Sequence, residues 1–378
     1  MKIAIEMTGA LAGGGYRRYV ERLVEALTRL YPNHAFVLHA AFHRGFPDRA
    51  LSLDIPERKN LTWDLVRVPQ SVWLPADELG LGFAERRLRG LGVDLVHGAC
   101  SILPRLRSLP SAMTLHYAGH YPFTGLWNRF YFHRLTDRST RDAGRVIAIS
   151  DFTKRKALET WPEIEDRCSV VPHGGPDAEF RPAGPGDGVP EGLSVPYLLM
   201  VGALRHTKRH AVVVEAFAAL RKKRPNLKLE LVFAGAEDEA SSEVRRVVAE
   251  HRLERKVVFL GGVNPSDIPA LYRRAWAVVC ASVTEGFAFP ALEAMACGVP
   301  VIAADGGALP ETVGQAGIVA PPTAAGFTEA LLELASDEVL RADYAGRGRA
   351  RAASFSWNRT AEETFKIYEK AVHTLPVR

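Results

Sequence analysis

Trp276–Ala304, WAVVCASVTEGFAFPALEAMACGVPVIAA, is the stretch on which the reading of the whole chain turns. Trp276 to Ser282 is an apolar run of strand length, and Gly286 and Pro290 punctuate the residues beyond it. Pro290 suits the first turn of a helix and Gly298 its end. Val299 to Ala304 then reads as the next strand. The unit is strand, loop, short helix, strand, and in open parallel sheets ligands bind outside the carboxyl ends of the strands. The amides of Gly286, Phe287, Ala288 and Phe289 come just before or at the helix start, where unpaired N–H groups favour an anion such as a diphosphate. Glu285 and Glu293 flank that loop. As carboxylates they repel the anion and suit hydroxyls on either side of it, as an acid residue does with ribose in dinucleotide folds. A capping role for Glu285 and a solvated helix position for Glu293 stay open on these residues alone.

The chain has 378 residues, more than one core usually supports, so two domains are expected. Its hydrophobic fraction of 47% and charged fraction of 24% are ordinary for a folded globular protein. The net charge of +5 lies in the first half, where residues 1–182 carry 25 Lys and Arg against 20 Asp and Glu. Such a surplus fits a solvated surface, an acidic acceptor or a membrane surface. No zinc-ligand spacing, basic zipper or ribonucleoprotein motif points to nucleic acid. Cys100, Cys168, Cys280 and Cys297 have no metal spacing and read as reduced core thiols of a cytoplasmic protein. Met1–Glu6 reads as a strand rather than a signal peptide, and no run approaches a membrane span.

In chain order, Lys2–Met7 reads as a strand leading into Thr8-Gly9-Ala10-Leu11-Ala12-Gly13-Gly14-Gly15 and then an amphipathic helix over about Tyr16–Tyr31. Such a glycine loop admits a phosphate or substrate close to the backbone. The following strand, Ala35–Ala40, lacks the acid that a NAD site places at its end. Val93–His97 and Ala112–His116 each end an apolar run on histidine, a ligand-facing position in a parallel sheet. His97 reads as structural. Tyr121–Arg145 interleaves Trp127, Phe130, Tyr131 and Phe132 with arginines, which suits one helix face packed on the core or contact with lipid headgroups at the inner face of a membrane. Arg145–Ser150 is the next strand, with Ser150 or Asp151 capping a helix. Cys168–Pro172 leads to a sharp turn at His173-Gly174-Gly175. Pro182–Pro196, rich in Pro and Gly, reads as the linker. Beyond it, strand and helix alternate: Tyr197–Leu204, His210–Arg224, Leu227–Gly235, Glu239–Leu253, Lys256–Val263, Ser266–Ala275. That alternation predicts a second parallel sheet flanked by helices.

The run Glu285-Gly286-Phe287-Ala288-Phe289-Pro290-Ala291-Leu292-Glu293, continued by Ala294–Val301, resembles the signature of glycosyltransferase family 4, whose members are retaining, nucleotide-sugar-dependent enzymes of the GT-B fold. Alanine stands at Ala288 where glycine is usual. Val201-Gly202-Ala203-Leu204-Arg205-His206-Thr207-Lys208 resembles the family's donor loop, and Asp305–Glu311 its GALPE turn. His116 matches the histidine at the end of a TVHD-like strand, with Tyr117 for the usual aspartate. His173 takes the place of a frequent asparagine, Gly15-Tyr16-Arg17-Arg18-Tyr19 stands for GxGRY, and Phe355-Ser356-Trp357 fits the family's last segment.

The resemblance implies an α/β GT-B fold of two Rossmann-like domains facing each other across a cleft. The first is an acceptor-side domain over residues 1–182, joined by a returning helix over 358–378. The second is a donor domain over 183–357. It implies that Lys208, with Gly202 and Arg205, meets the donor diphosphate, that Glu293 holds the ribose and Glu285 the transferred sugar, and that His116, His173 and Gly15 lie near the donor. A leaving diphosphate needs such a cation, because charge builds on it as the glycosidic bond breaks. The expected reaction moves a hexose-type sugar such as mannose or glucose from a UDP- or GDP-linked donor to a sugar, lipid-linked or other hydroxyl acceptor, with no obligatory metal or further cofactor. A non-catalytic nucleotide-sugar-binding subunit and another enzyme of the same fold, such as an epimerase or phosphorylase, are the alternatives.

Overall fold

The computed structural model describes residues 1–117, 126–188, 192–193 and 196–373, without the side chains of 70, 71, 74, 75 and 126–132. The chain divides into two compact units, Met1–Gly174 with Ser356–Arg378, and Gly175–Phe355. From the sequence, the division is expected at Pro182 and Trp357. In the second unit Arg273 Nη1 donates to the Glu179 carbonyl (3.0 Å), and Asp187 accepts from Arg181 (2.8 Å) and from the Gly184 amide (2.7 Å). Residues 179–188 are thereby fastened to the second unit.

The first unit has strands β1 (Lys2–Glu6), β2 (Ala35–Phe42), β3 (Leu61–Arg67), β4 (Leu95–Gly98), β5 (Ser111–Leu115), β6 (Arg145–Ala148) and β7 (Cys168–Val170). They form one sheet in the order β3-β2-β1-β4-β5-β6-β7, and every recorded pairing is parallel. The second unit has β8 (Tyr197–Val201), β9 (Glu230–Ala234), β10 (Val257–Gly261), β11 (Ala275–Cys280), β12 (Val301–Ala304) and β13 (Ile318–Ala320), ordered β10-β9-β8-β11-β12-β13 and parallel throughout. Strands such as Tyr197-Leu198-Leu199-Met200 are buried along their length because helices cover both faces. In each unit the chain winds outward for three strands and then returns to the other side of the first. The loops leaving β1 and β4, and those leaving β8 and β11, diverge there and open a crevice at the carboxyl edge.

Both segments of the first unit share one core. The helix Trp357–Val372 lies against the helix Gly14–Leu30, with Phe365 stacked on Tyr31 at 3.7 Å between centroids. Thr360 Oγ1 donates to the Pro172 carbonyl (2.8 Å). A buried polar chain runs beneath: Tyr368 Oη to His97 Nδ1 (2.7 Å), His97 Nε2 to Thr114 Oγ1 (2.8 Å), and Thr114 Oγ1 to Tyr19 Oη (2.8 Å). His97 is structural, as read from the sequence. Ser150 Oγ accepts from the Thr153 amide (3.0 Å) and caps its helix, Asp151–Thr160. The helix Leu126–Asp142 is held by Arg138 against Glu78 (2.8 Å), while Trp127, Phe130, Tyr131 and Phe132 fall outside the described side chains.

Tyr368→Phe removes one end of the buried chain and leaves the His97 Nδ1 unsatisfied. Urea unfolding should show a loss of about 1–3 kcal/mol; an unchanged midpoint would mean that the chain contributes nothing to the first unit.

Candidate functional site

The carboxyl edge of the second sheet carries the signature residues. After β8 the backbone passes Gly202, at φ +136°, whose amide donates to the Ala234 carbonyl (2.9 Å). A Cβ on Gly235 would lie 1.9 Å from the Gly202 carbonyl oxygen, so the two loops approach this closely only with glycine at 235. A short 3-10 turn, His206–Lys208, then brings Lys208 round to the loop that leaves β11. Lys208 Nζ and Glu285 Oε1 form an ion pair, each side chain about three-quarters buried. The Val283 amide donates to the Thr207 carbonyl (3.3 Å) and ties the two loops beside that pair.

A third loop fixes Glu285 from behind. Gly307, at φ +60°, sits so close that a Cβ on it would lie 2.6 Å from the Glu285 nitrogen and 2.7 Å from its oxygen. The Ala308 amide donates to the Glu285 carbonyl (2.7 Å), and Thr312 Oγ1 donates to that of Phe287 (2.7 Å). These contacts explain the Asp305–Glu311 turn: it is the backboard of the loop at 285–287. Phe287 is buried, edge-on to Phe289 and Phe355. Ala288 precedes the helix Phe289–Ala296 in the left-handed region, φ 72° and ψ 53°, which costs a non-glycine residue about 1–2 kcal/mol. The departure from glycine seen in the sequence thus falls on a backbone that keeps glycine's conformation.

Two other donor candidates have partners that spacing did not show. Arg205 Nε donates to Asp238 Oδ2 (2.6 Å) in an exposed pair, so Arg205 is engaged by Asp238 and not by Glu285. Glu293 is buried and its Oε2 accepts from Tyr272 Oη (2.9 Å). Burial, reinforced by Glu293, keeps the Tyr272 phenol protonated. The free thiol of Cys280, at the end of β11, is pushed up to about 12 by burial, with the Glu285 charge adding to the effect. Among the described residues no three His, Cys, Asp or Glu side chains converge as metal ligands would.

In the first unit His116 follows β5 and is framed by the edges of Tyr16 and Tyr19, each 4.7 Å away, and by His173 at 5.2 Å. His116 Nε2 lies 2.8 Å from the Ala99 carbonyl, which can only accept, so that nitrogen carries the proton and Nδ1 is the ring's acceptor. Burial holds His116 down at about 4. His97 is held at about 3 and His173 well below the usual imidazole value, burial being the main cause in both. Trp357 stacks on His173, and a Cβ on Gly174 would strike that indole at 2.3 Å. Gly15 lies in the first turn of the neighbouring helix, Gly14–Leu30, with nothing within 4 Å of where a Cβ would be. Arg17 turns away to Glu21 (2.8 Å). Sequence reasoning missed Tyr16 and Tyr19 as the frame of His116; aromatic residues at i and i+3 on the helix after the glycine loop were the available signal.

The three histidines set a pH dependence whose sign is fixed. Their folded pKa values lie below the unfolded value of about 6.5, so the unfolded chain binds more protons and stability falls as pH falls through that value toward 4. Each neutral histidine contributes up to about 1.4 kcal/mol per pH unit in that window. Urea unfolding of the first unit should therefore be level above pH ~7 and lose stability below pH ~6, by at most about 4 kcal/mol per unit for the three rings together. Glu6, Asp77 and Asp142 return part of that loss, since burial raises their carboxyls and lets the folded state take up protons. A flat profile between pH 7 and 5 would contradict the burial of neutral rings.

The family model described as "Glycosyltransferase Family 4" matches residues 13–176, and that described as "Glycosyl transferases group 1" matches residues 190–351. The chain is 31% identical over 249 residues to D-inositol 3-phosphate glycosyltransferase of Pseudarthrobacter chlorophenolicus, covering 64% of this chain and 58% of that protein. It is 28% identical over 245 residues to O-antigen chain mannosyltransferase B of Escherichia coli, covering 63% and 64%. The chain thus spans about six-tenths of the length of the curated relatives it matches. In fold it is similar to sucrose-phosphate synthase of Thermosynechococcus elongatus, with TM-score 0.74, 21% identity and 98% of each chain covered. It is similar also to Anabaena HepE solved with UDP and glucose, with TM-score 0.70, 18% identity and coverage of 98% and 100%. The two parallel-sheet units are those of the GT-B architecture, and with one family model on each of them the chain belongs to glycosyltransferase family 4, the glycosyl transferases of group 1.

Proposed function

We propose that this protein is a retaining glycosyltransferase that moves a hexose-type sugar from a UDP- or GDP-linked donor to a hydroxyl acceptor. The observation that carries the reading is the Lys208–Glu285 pair at the crevice of the second sheet. A diphosphate arriving there outcompetes a single carboxylate for Lys208, because it brings more charge and also meets the amides from Gly286 to Phe289. Glu285, released, becomes a pure acceptor for hydroxyls of the transferred sugar. Glu293, steadied by Tyr272, is assigned to the ribose.

In the reaction so proposed, the bond from the sugar's anomeric carbon to the diphosphate oxygen breaks. The acceptor oxygen bonds to that carbon from the same face, and its proton passes to the departing phosphate. Lys208 and the helix-head amides stabilise the charge that grows on the leaving group. His116 is assigned to a sugar hydroxyl as a neutral acceptor; with a pKa of about 4 it is already deprotonated at neutral pH. His173, Gly15 and Gly202 complete the assignment as residues that shape the donor's surroundings. Relatives named for inositol-phosphate glycosyl transfer and mannosyl transfer, and a neighbour of the same fold solved with UDP and glucose, support a nucleotide-sugar donor. The capture of Arg205 by Asp238 favours a second reading, a nucleotide-sugar-binding subunit without turnover, since it leaves Lys208 with less cationic help.

A thermal-shift panel with UDP, GDP and their sugars should raise the melting temperature for one nucleotide class. Lys208→Ala should weaken that ligand about 10–100-fold, and Glu285→Ala should lower turnover by about 10²–10³ with the melting temperature nearly unchanged. Near-normal turnover of Glu285→Ala removes the proposed role. Tight donor binding by the wild-type chain with no release of nucleoside diphosphate supports the second reading.

A further inference from the structure

Large apolar side chains are not exposed at random on this protein. Among the described residues eight are, and five of them fall in one stretch: Val72 (58% exposed), Leu79 (79%), Leu81 (49%), Phe83 (47%) and Leu91 (36%). The turn Leu79–Phe83 lies between the helices Gln70–Glu78 and Phe83–Gly90 in the first unit. Its apolar side chains are ringed by cations. Arg105 Nη1 donates to the Glu78 carbonyl (2.7 Å), Arg107 Nη2 to that of Gly80 (3.0 Å) and Arg86 Nη2 to that of Leu81 (2.9 Å), with Arg86 also over the Phe83 ring at 5.1 Å. Arg89 reaches Ser108 Oγ (3.3 Å) on the same loop as Arg105 and Arg107.

The local acids are turned away from this surface. Glu85 is buried and accepts from the amides of Arg107, Ser108 and Leu109; those bonds outweigh its burial and hold its carboxyl below the usual range. Asp77 is buried and accepts from the Arg105 amide (2.6 Å). Glu78 is taken by Arg138 (2.8 Å). Three apolar tips on one turn, with the guanidinium groups of Arg86, Arg105 and Arg107 beside them, face solvent.

We infer that this turn is a docking surface for an anionic lipid bilayer. Three side chains on a tight turn cannot supply the ~800 Å² per partner that a stable protein interface buries. They can enter the headgroup boundary while the arginines above them meet lipid phosphates, and the two contributions reinforce each other. The inference stands apart from the glycosyl-transfer reading, because none of these residues belongs to the donor site. It also places membrane contact on residues other than the aromatic segment at 121–145.

Flotation of the full chain with phosphatidylcholine vesicles, made with or without phosphatidylglycerol, tests it. The wild-type chain should float only with the anionic vesicles, and less so in high salt. Leu79→Ser/Leu81→Ser and, separately, Arg86→Gln/Arg107→Gln should each reduce binding about tenfold or more, with melting temperature and nucleotide binding unchanged. Failure of the wild-type chain to float with anionic vesicles overturns the inference, as does equal flotation of either variant. A self-association that Leu79→Ser/Leu81→Ser abolishes, without vesicle binding, overturns it in favour of a second copy on this surface.

Discussion

The second unit is built so that Lys208 and Glu285, 77 residues apart, meet at the carboxyl edge of one sheet. Neither is there for what the pair adds to stability, since partly exposed ion pairs contribute about 1 kcal/mol or less. The meeting rests instead on backbone constraints. Gly235 lets the loop after β9 press on Gly202, Gly307 lets the loop after β12 press on Glu285, and Ala308 and Thr312 hold the carbonyls of Glu285 and Phe287. The consequence is a positive and a negative group held against each other and largely shielded from water, the arrangement on which the proposed diphosphate site rests.

The first unit solves a different problem. It keeps three imidazoles neutral and fixed in place near neutral pH. His97 is locked by Tyr368 and Thr114, His173 lies under Trp357, and His116 has its proton committed to Ala99. The last helix of the chain matters to this because Trp357 and Tyr368 come from it. A helix remote in sequence thereby packs directly on His97 in β4 and on His173 beyond β7.

Much of this is legible in the sequence, and the reasons are physical. Strand–helix alternation, Pro290 and Gly298 around a short helix, and the Ser150 cap are local signals, and the structure shows Phe289–Ala296, Val301–Ala304 and the Ser150–Thr153 bond where such signals place them. Partners that meet only through the sheet are not legible. Nothing near Arg205 announces Asp238, 33 residues on, and nothing near Glu293 announces Tyr272. The strand Leu61–Arg67 escapes a search for apolar runs because Thr62 and Asp64 interrupt it, Asp64 being a buried carboxylate that binds His39 (2.8 Å) and Arg87. That buried ionic row hides a strand from any reading based on apolar runs.

A crystal structure of the full chain with a non-hydrolysable nucleoside diphosphate sugar would test the role of the Lys208–Glu285 pair most directly. Lys208 Nζ should lie within hydrogen-bond distance of a diphosphate oxygen, with Glu285 turned from Lys208 to the hydroxyls of the sugar. A nucleotide bound elsewhere, with the pair still closed, would contradict that role.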